Sequence, residues 1–453
     1  MADNKSKKRR VVTRKTGGIK NSNTEFSFTR EMIPSFSLNG TSQSGLMTSY
    51  RDKAWAAFER LDLPTTSEEP WRRTDIRKLQ ASKFELAAPE NAPGLPGVPK
   101  ELIGSADYGG SVVLSPSGSD INLSQNLIDQ GVIFTDLTTA AIKHADILEM
   151  LLGQLVDVEE GKFAAMAGAF ASQGALLYVP AGVQVEQPLH SVMWTPGSGI
   201  AYFSHILIWV EDQASVTYIH ESASPSSEDQ ALHAGIVEIH VGKSASLKFV
   251  DLQSFGHNMW NFAHKRVNVN RDGKLEWIIG AVGSRLTKDF SEINLVGEGA
   301  EGRMSGFYFT DNDQHFDYDT QQNHMAPHTS SDLLFKGALT GSSRSVWQGM
   351  IYVAPDAQKT DGYQANRNLM LSDDARADSI PGLEILADDV RCTHGATMGK
   401  IDSEELFYLG SRGIPADESQ RLIVEGFFDT IIQQIPVEEI RSRYTQAIVD
   451  KLN

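Results

Sequence analysis

IWVEDQASVTYI (208–219), IHVGKSASLKFV (239–250), VNVNRDGKLEWI (267–278) and INLVGEGAEGRM (293–304) share one shape. Each is an alternating strand, a polar turn, a small residue and, in most, a second strand. The small residues Ala214, Ala245, Gly273 and Ala300 recur 31, 28 and 27 positions apart. A period near thirty, with two or three short strands per repeat, predicts a solenoid whose coils hide their apolar faces against one another. On this reading the fold is mainly β, with a right-handed parallel β-helix as its core. A β-sandwich of hairpins is the alternative that short strands also permit.

Further β-branched and aromatic runs at 176–179, 205–210, 215–220, 236–241, 246–250, 266–269, 274–279 and 293–296 place this core at 173–398. No helical pattern of ten or more residues interrupts 174–395, which disfavours a Rossmann-type arrangement. Upstream, TSYRDKAWAAFERL (48–61) is an amphipathic helix, and helical pattern returns at 136–155 and 159–171. The stretch 89–118 is rich in Pro, Gly and Ser and reads as linker and loop. Residues 31–172 are therefore expected to form a mostly helical N-terminal domain. Downstream, Asp402 caps a helix with early acids, Gly413 and Pro415 break it, and two further helices are expected over 417–434 and 438–452. Residues 399–453 form the C-terminal helical domain. Its helices either cap the solenoid's end or present an apolar face to a partner.

The 453 residues carry a net charge of −17. Residues 1–20 alone hold eight basic side chains and one acid, a charge of +7, so the remainder is −24. The segment 1–30 reads as a solvated, disordered basic tail. The acidic body argues against nucleic-acid binding, which needs clustered positive charge. No uninterrupted apolar run approaches a membrane span. The only cysteine is Cys392, which excludes an internal disulfide and suits a reducing cytoplasm.

The chain has no phosphate loop of the G-x-x-x-x-G-K-[ST] type, no G-x-S-x-G elbow and no H-E-x-x-H pair. Two stretches carry metal-ligating residue types. HFDYDTQQNHMAPH supplies His315, Asp317, Asp319, His324 and His328, which suit zinc or non-haem iron as a free-standing metal site or enzyme centre. Their spacing fits neither a helix nor one strand face, so satisfied polar residues on coils and turns are the bland alternative. In DDVRCTHGAT (388–397), Cys392 and His394 stand at i and i+2, on one face of an extended strand. Thiolate and imidazole are a soft ligand pair, too few to hold a metal alone. The alternative is a buried thiol with a hydrogen-bonded histidine beside it.

QANRNLMLS (364–372), PGLEI (381–385), DDVRCTHGAT (388–397) and LFYL with SRGI (406–414), in that order, resemble the SufD members of the SufB/SufD family. PWRRTD (70–75) is similar to the family's N-terminal signature. The resemblance is specific over about 300–425 and looser before it. It implies a parallel β-helix between helical domains and a non-catalytic scaffold subunit of the SUF iron–sulfur cluster assembly machinery. The implied partners are the paralogue SufB and the ATPase SufC, the latter on the C-terminal helices. In isolation the chain could instead pair with itself. A transient cluster would form at the SufB–SufD interface, with His394 implicated and no tightly bound cofactor in this chain. Cys392 is a second candidate ligand. Leu369 and Leu371 are expected at the SufB contact, and Tyr408, Arg412, Phe427 and Phe428 at the SufC contact.

Overall fold

The computed structural model describes residues 25–88 and 94–452. Two long sheets face each other and each gains one strand per coil. One ends on Asp361–Met370 and Arg391–Lys400, the other on Arg344–Val353 and Arg376–Ile385. Every pairing between successive coils is parallel and in register. The β-sandwich alternative fails on this point, because hairpin sandwiches pair antiparallel.

The repeat seen in the sequence is a turn column. Gln213, Ser244, Asp272, His328 and Lys359 all adopt positive φ, and Gly182 and Gly299 fill the equivalent coils. Each donates its backbone N–H to the residue just before the next member of the column. Examples are Gln213 to Lys243 O at 2.8 Å and Ser244 to Arg271 O at 2.9 Å. The small residue that follows, Ala214, Ala245 or Ala300, is buried inside the corner. A larger side chain there would collide with the packed coil.

The strands are longer than their apolar runs. Met259–Val269 is one eleven-residue strand, whereas sequence pattern marks only 266–269. Its inward positions include Asn261 and Lys265, so alternation is broken although the strand is intact. The inward lysine is paired. Lys265 Nζ lies 2.5 Å from Asp251 and 2.7 Å from Asp289. Burial alone would lower its pKa, but the two carboxylates outweigh it and raise it.

The N-terminal region is less helical than expected. Gly110–Ser115, Gly118–Leu123 and Ile133–Asp136 are strands that extend the two sheets, so part of the expected linker belongs to the solenoid. The expected helix at 136–155 is two short ones, Leu137–Lys143 and Ala145–Leu151. Most of the basic tail lies outside the described residues. From Glu25 onward the chain packs: Phe28 is buried, edge-on to Phe170 and Phe203, which corrects the tail boundary at residue 30.

Helices cover the two outer flanks, not the C-terminal end. Gly45–Arg60 and Lys162–Phe170 lie over Leu176, Phe203, Leu207, Ile236 and Phe262. Ala416–Ile432 and Glu438–Asp450 lie over Ile219, Val250, Leu252, Phe307 and Phe309 on the opposite sheet. Capping of the end, one of the two expectations for these helices, is therefore not their role. Buried carboxylates fasten each layer. Glu238 accepts from the backbone N–H groups of Gly153, Leu155 and Val156 and pairs with His205. Glu221 pairs with His190 and with Arg443 of the last helix.

Candidate functional site

The terminal coil is where the interior meets solvent. In the in-register ladder Cys392 stacks on Gly362, His394 on Gln364 and Ala396 on Asn366. Gly362, Gln364 and Asn366 are buried and point inward. Cys392, His394, Ala396 and Met398 therefore also face the solenoid axis, but no further coil covers them among the described residues. His394 is exposed, Cys392 half-buried and Met398 53% exposed. Cys392 and His394 thus share one face of the strand, as their i, i+2 spacing predicts. Burial pushes the Cys392 thiol pKa up, with Asp361 adding to it against a Gly362 backbone hydrogen bond. A raised thiol pKa disfavours the thiolate that binds metal or attacks.

Beneath this coil the interior is polar. Asn368 Nδ2 donates to Asn366 Oδ1 at 2.6 Å, and Tyr308 donates to Asn368 Oδ1 at 2.6 Å. Ser379 of the facing sheet also donates to Asn366. Gln364 is fully buried; its amide nitrogen donates to Gly382 O at 2.8 Å, while its carbonyl oxygen has no partner. Sequence pattern alone assigns Gln364 no role. Its signal was polar residues on alternate positions 364, 366 and 368 of a strand.

The histidines of the other stretch are not brought together. His315 and His324 are the two ends of one ten-residue strand and project from opposite faces, while His328 is a positive-φ turn residue. Nine residues of strand separate the first two by about 30 Å. His324 is satisfied by Thr329 and Ser331, both at 2.8 Å. His315 accepts or donates at 3.0 Å to Thr74, which also bonds Asp317. Burial lowers the pKa of both His315 and His324 to about 4. No group of three or more His, Cys, Asp or Glu with metal-binding geometry exists among the described residues. The alternative of a metal centre on His315, His324 and His328 is corrected accordingly. His315 and Asp317 instead anchor the 70–75 segment to the sheet.

Leu369 lies on the penultimate strand, bonded on both sides, and with Leu371 packs half-buried against the cluster under the C-terminal helices. The outermost strands are Arg376–Ile385 and Arg391–Lys400. Phe428 is buried against Phe307 and Phe309, with centroids 6.2 and 6.3 Å apart. Phe427 is partly buried under the Lys336 ammonium. The exposed aromatics lie on Ser403–Ser411: Phe407 is 78% exposed and Tyr408 57%, with the Arg412 guanidinium 5.1 Å above the Tyr408 ring. Tyr408 and Arg412 are exposed, whereas Phe428, expected at the same contact, is buried. Phe407, beside Tyr408, carries no sequence signal of its own, because exposure on a short helix leaves no periodicity.

Residues 193–427 match the family model "SUF system FeS cluster assembly, SufBD core domain", and 37–190 match "SufBD protein N-terminal region". The chain belongs to the SufBD family. It is 31% identical to the iron–sulfur cluster assembly protein SufD of Bacillus subtilis, over 95% of this chain and 99% of that protein. It is also 32% identical to the SufB protein of the same organism, over 74% of this chain and 70% of that protein. A SufBD family protein of Staphylococcus epidermidis is 30% identical over the same shares. SufBD membership places the chain in iron–sulfur cluster assembly by the SUF system. Both family models together span the solenoid, the layer over its first flank and part of the helical layer over the second. No helix among the described residues is long and apolar enough to cross a membrane.

Proposed function

We propose that this chain is a SufD-type scaffold subunit without chemistry of its own, which pairs through its open terminal coil with a SufB-type paralogue. The observation that carries the reading is the inward-facing His394 left uncovered at the end of the ladder. Free strand edges and exposed Met398 and Leu386 surround it. A second solenoid end could complete those edges, and two paralogues pair most simply about a pseudo-twofold axis. The nascent cluster is cargo, held transiently between the subunits. His394 would offer iron a neutral imidazole, and the partner would supply thiolate. Cys392, half-buried beside it, is the lesser contributor, because the essential thiolate is expected on the partner. A SufC-type ATPase would dock on the C-terminal helices around Phe407, Tyr408 and Arg412. The complex works in the cytoplasm, where a single free thiol stays reduced.

His394→Ala should leave complex levels and ATPase activity intact while sharply lowering the activity of a cluster-dependent enzyme in cells. Cys392→Ala should be milder. Normal enzyme activity with normal complex levels in the His394→Ala strain would reduce His394 to a structural residue. Phe407→Asp with Tyr408→Asp should abolish co-purification of the ATPase without changing the melting temperature of this chain. Retained capture would move that contact elsewhere.

A further inference from the structure

We infer that the terminal coil holds its partner by backbone pairing along one edge only, that of Arg391–Lys400, and that Pro381 keeps the other edge, Arg376–Ile385, out of the hydrogen-bonded joint. The inference rests on the reading that a SufB-type paralogue covers this coil, and it names the strand that binds it.

In a parallel ladder, alternate residues turn their N–H and C=O groups to opposite neighbours. Arg391 donates its backbone N–H to Thr360 O at 2.8 Å, so the odd-numbered residues of Arg391–Lys400 bond the strand beneath. Cys392, His394, Ala396, Met398 and Lys400 therefore aim their backbone groups at the open side, where no strand pairs with them among the described residues. On the facing sheet the phase is set by Arg376 donating to Ser343 O and Leu386 to Val353 O, both at 3.0 Å. There the even-numbered residues bond inward, and Ala377, Ser379, Pro381, Leu383 and Ile385 face the open side. Pro381 is the centre of that row, and it has no N–H to offer.

A strand laid against Arg376–Ile385 would set one of its carbonyls on the proline ring, with its hydrogen bond unmade and its water displaced. Proline in a sheet is confined to such outward-facing edge positions, where it discourages pairing. Arg391–Lys400 carries no such block, and the charges at its two ends are neutralised. Arg391 lies 3.6 Å from Asp361, and Lys400 pairs with Asp373. The occupant is a strand from the paralogue's own terminal coil. Both paralogues are built on one core domain, so their coils stack at the same spacing of about 4.8 Å and one end can continue the ladder of the other. The residues of this seam are also those whose side chains face the axis, so the joint that holds the partner also fixes the backbone of His394. Ile385 and Leu386, exposed at the other edge, meet the partner by side-chain packing alone.

The test is hydrogen exchange read by mass spectrometry on the full chain, alone and with an excess of the SufB-type paralogue from its own organism. The paralogue should slow exchange about 10-fold or more in peptides covering 391–400 and leave 376–385 unchanged. Ala396→Pro removes one outward N–H without touching the ladder beneath, and should weaken binding about 10-fold. Met398→Pro does the same at the next outward position and serves if Ala396→Pro fails to fold, folding being judged by protection of 361–370. Pro381→Ala should restore the missing donor and bring protection to 376–385 in the complex. Unweakened binding by the folded proline variants would overturn the seam. Equal protection of both edges in the wild-type complex, or an unprotected 376–385 in Pro381→Ala, would overturn the role of Pro381. Protection of 391–400 in the isolated chain to which the paralogue adds nothing would give the seam to a second copy and overturn the assigned occupant. A failure to form any complex with the paralogue would instead overturn the pairing on which the inference rests.

Discussion

Lys288→Met should loosen the N-terminal layer from the solenoid. Lys288 and Asp317 are both fully buried, and Nζ lies 2.9 Å from Oδ2, an ion pair rather than a well-aligned hydrogen bond. Thr74 bonds the same carboxylate, and the ammonium sits 4.7 Å from the Phe290 ring and 5.9 Å from Trp71. Methionine fills the lysine's volume but leaves Asp317 a buried charge without its counterion. Breaking one side of such a pair costs about 3–5 kcal/mol. That free energy corresponds to about two to three and a half orders of magnitude in an opening equilibrium, at about 1.4 kcal/mol per factor of ten.

The strain should fall on the contact between residues 69–76 and the sheet. Hydrogen exchange read by mass spectrometry on peptides covering 65–80 should lose protection by that factor, while peptides covering 231–269 change little. Replacing both partners, as Lys288→Met with Asp317→Leu, should recover most of the loss, because a well-packed apolar pair can match a buried ion pair. A single variant that loses less than about 1 kcal/mol would refute the account of this pair as the anchor of the segment.

Phe428→Ala should cost about 3–5 kcal/mol by leaving a cavity between the Ala416–Ile432 helix and Phe307, read as a lower denaturant midpoint; capture of the ATPase should fall with it. Acid should unfold the chain early. Burial lowers the pKa of His220 to about 3 and of His233, His264, His315 and His324 to about 4, below the value near 6.5 of an unfolded chain. The unfolded state then binds more protons, so this stability is complete above about pH 6.5 and is lost as pH falls toward 4, each histidine adding up to about 1.4 kcal/mol per pH unit. Midpoints measured from pH 7.5 to 4.5 that stay level would contradict the burial of these rings.

The solenoid was legible because its corners demand one thing in every coil. A left-handed turn residue followed by a small buried one leaves a mark at Ala214, Ala245 and Ala300 that survives any change in the strands. Strand length was not legible, since Asn261, Lys265 and Thr287 occupy inward positions and break the alternation that defines a strand in sequence. The shared face of Cys392 and His394 followed from the period of two. Their exposure did not, because it depends on the ladder stopping at their own coil. The link from Thr74 to Asp317, 243 residues apart, carries no local signal at all. Two motifs that looked unrelated, 70–75 and 315–328, are the two halves of one buried contact.

The end of the ladder differs from its middle in a way that packing alone would not favour. Midway, inward positions such as Tyr218, Phe249 and Trp277 fill the axis with aromatic volume. Toward the end, beside Trp347, the axis carries Gln364, Asn366 and Asn368, then His394 in the open. A solenoid normally closes its last coil with a polar cap, yet here both helical layers are spent on the flanks. The last strands keep their unpaired edges and exposed Ile385, Leu386 and Met398. Such an end is an aggregation hazard for a free monomer. On the proposed pairing it becomes useful. A paralogous end would cover the apolar rim and close the edges. The polar axis would then be sealed from water, giving His394 a dry space in which its imidazole lone pair faces the iron.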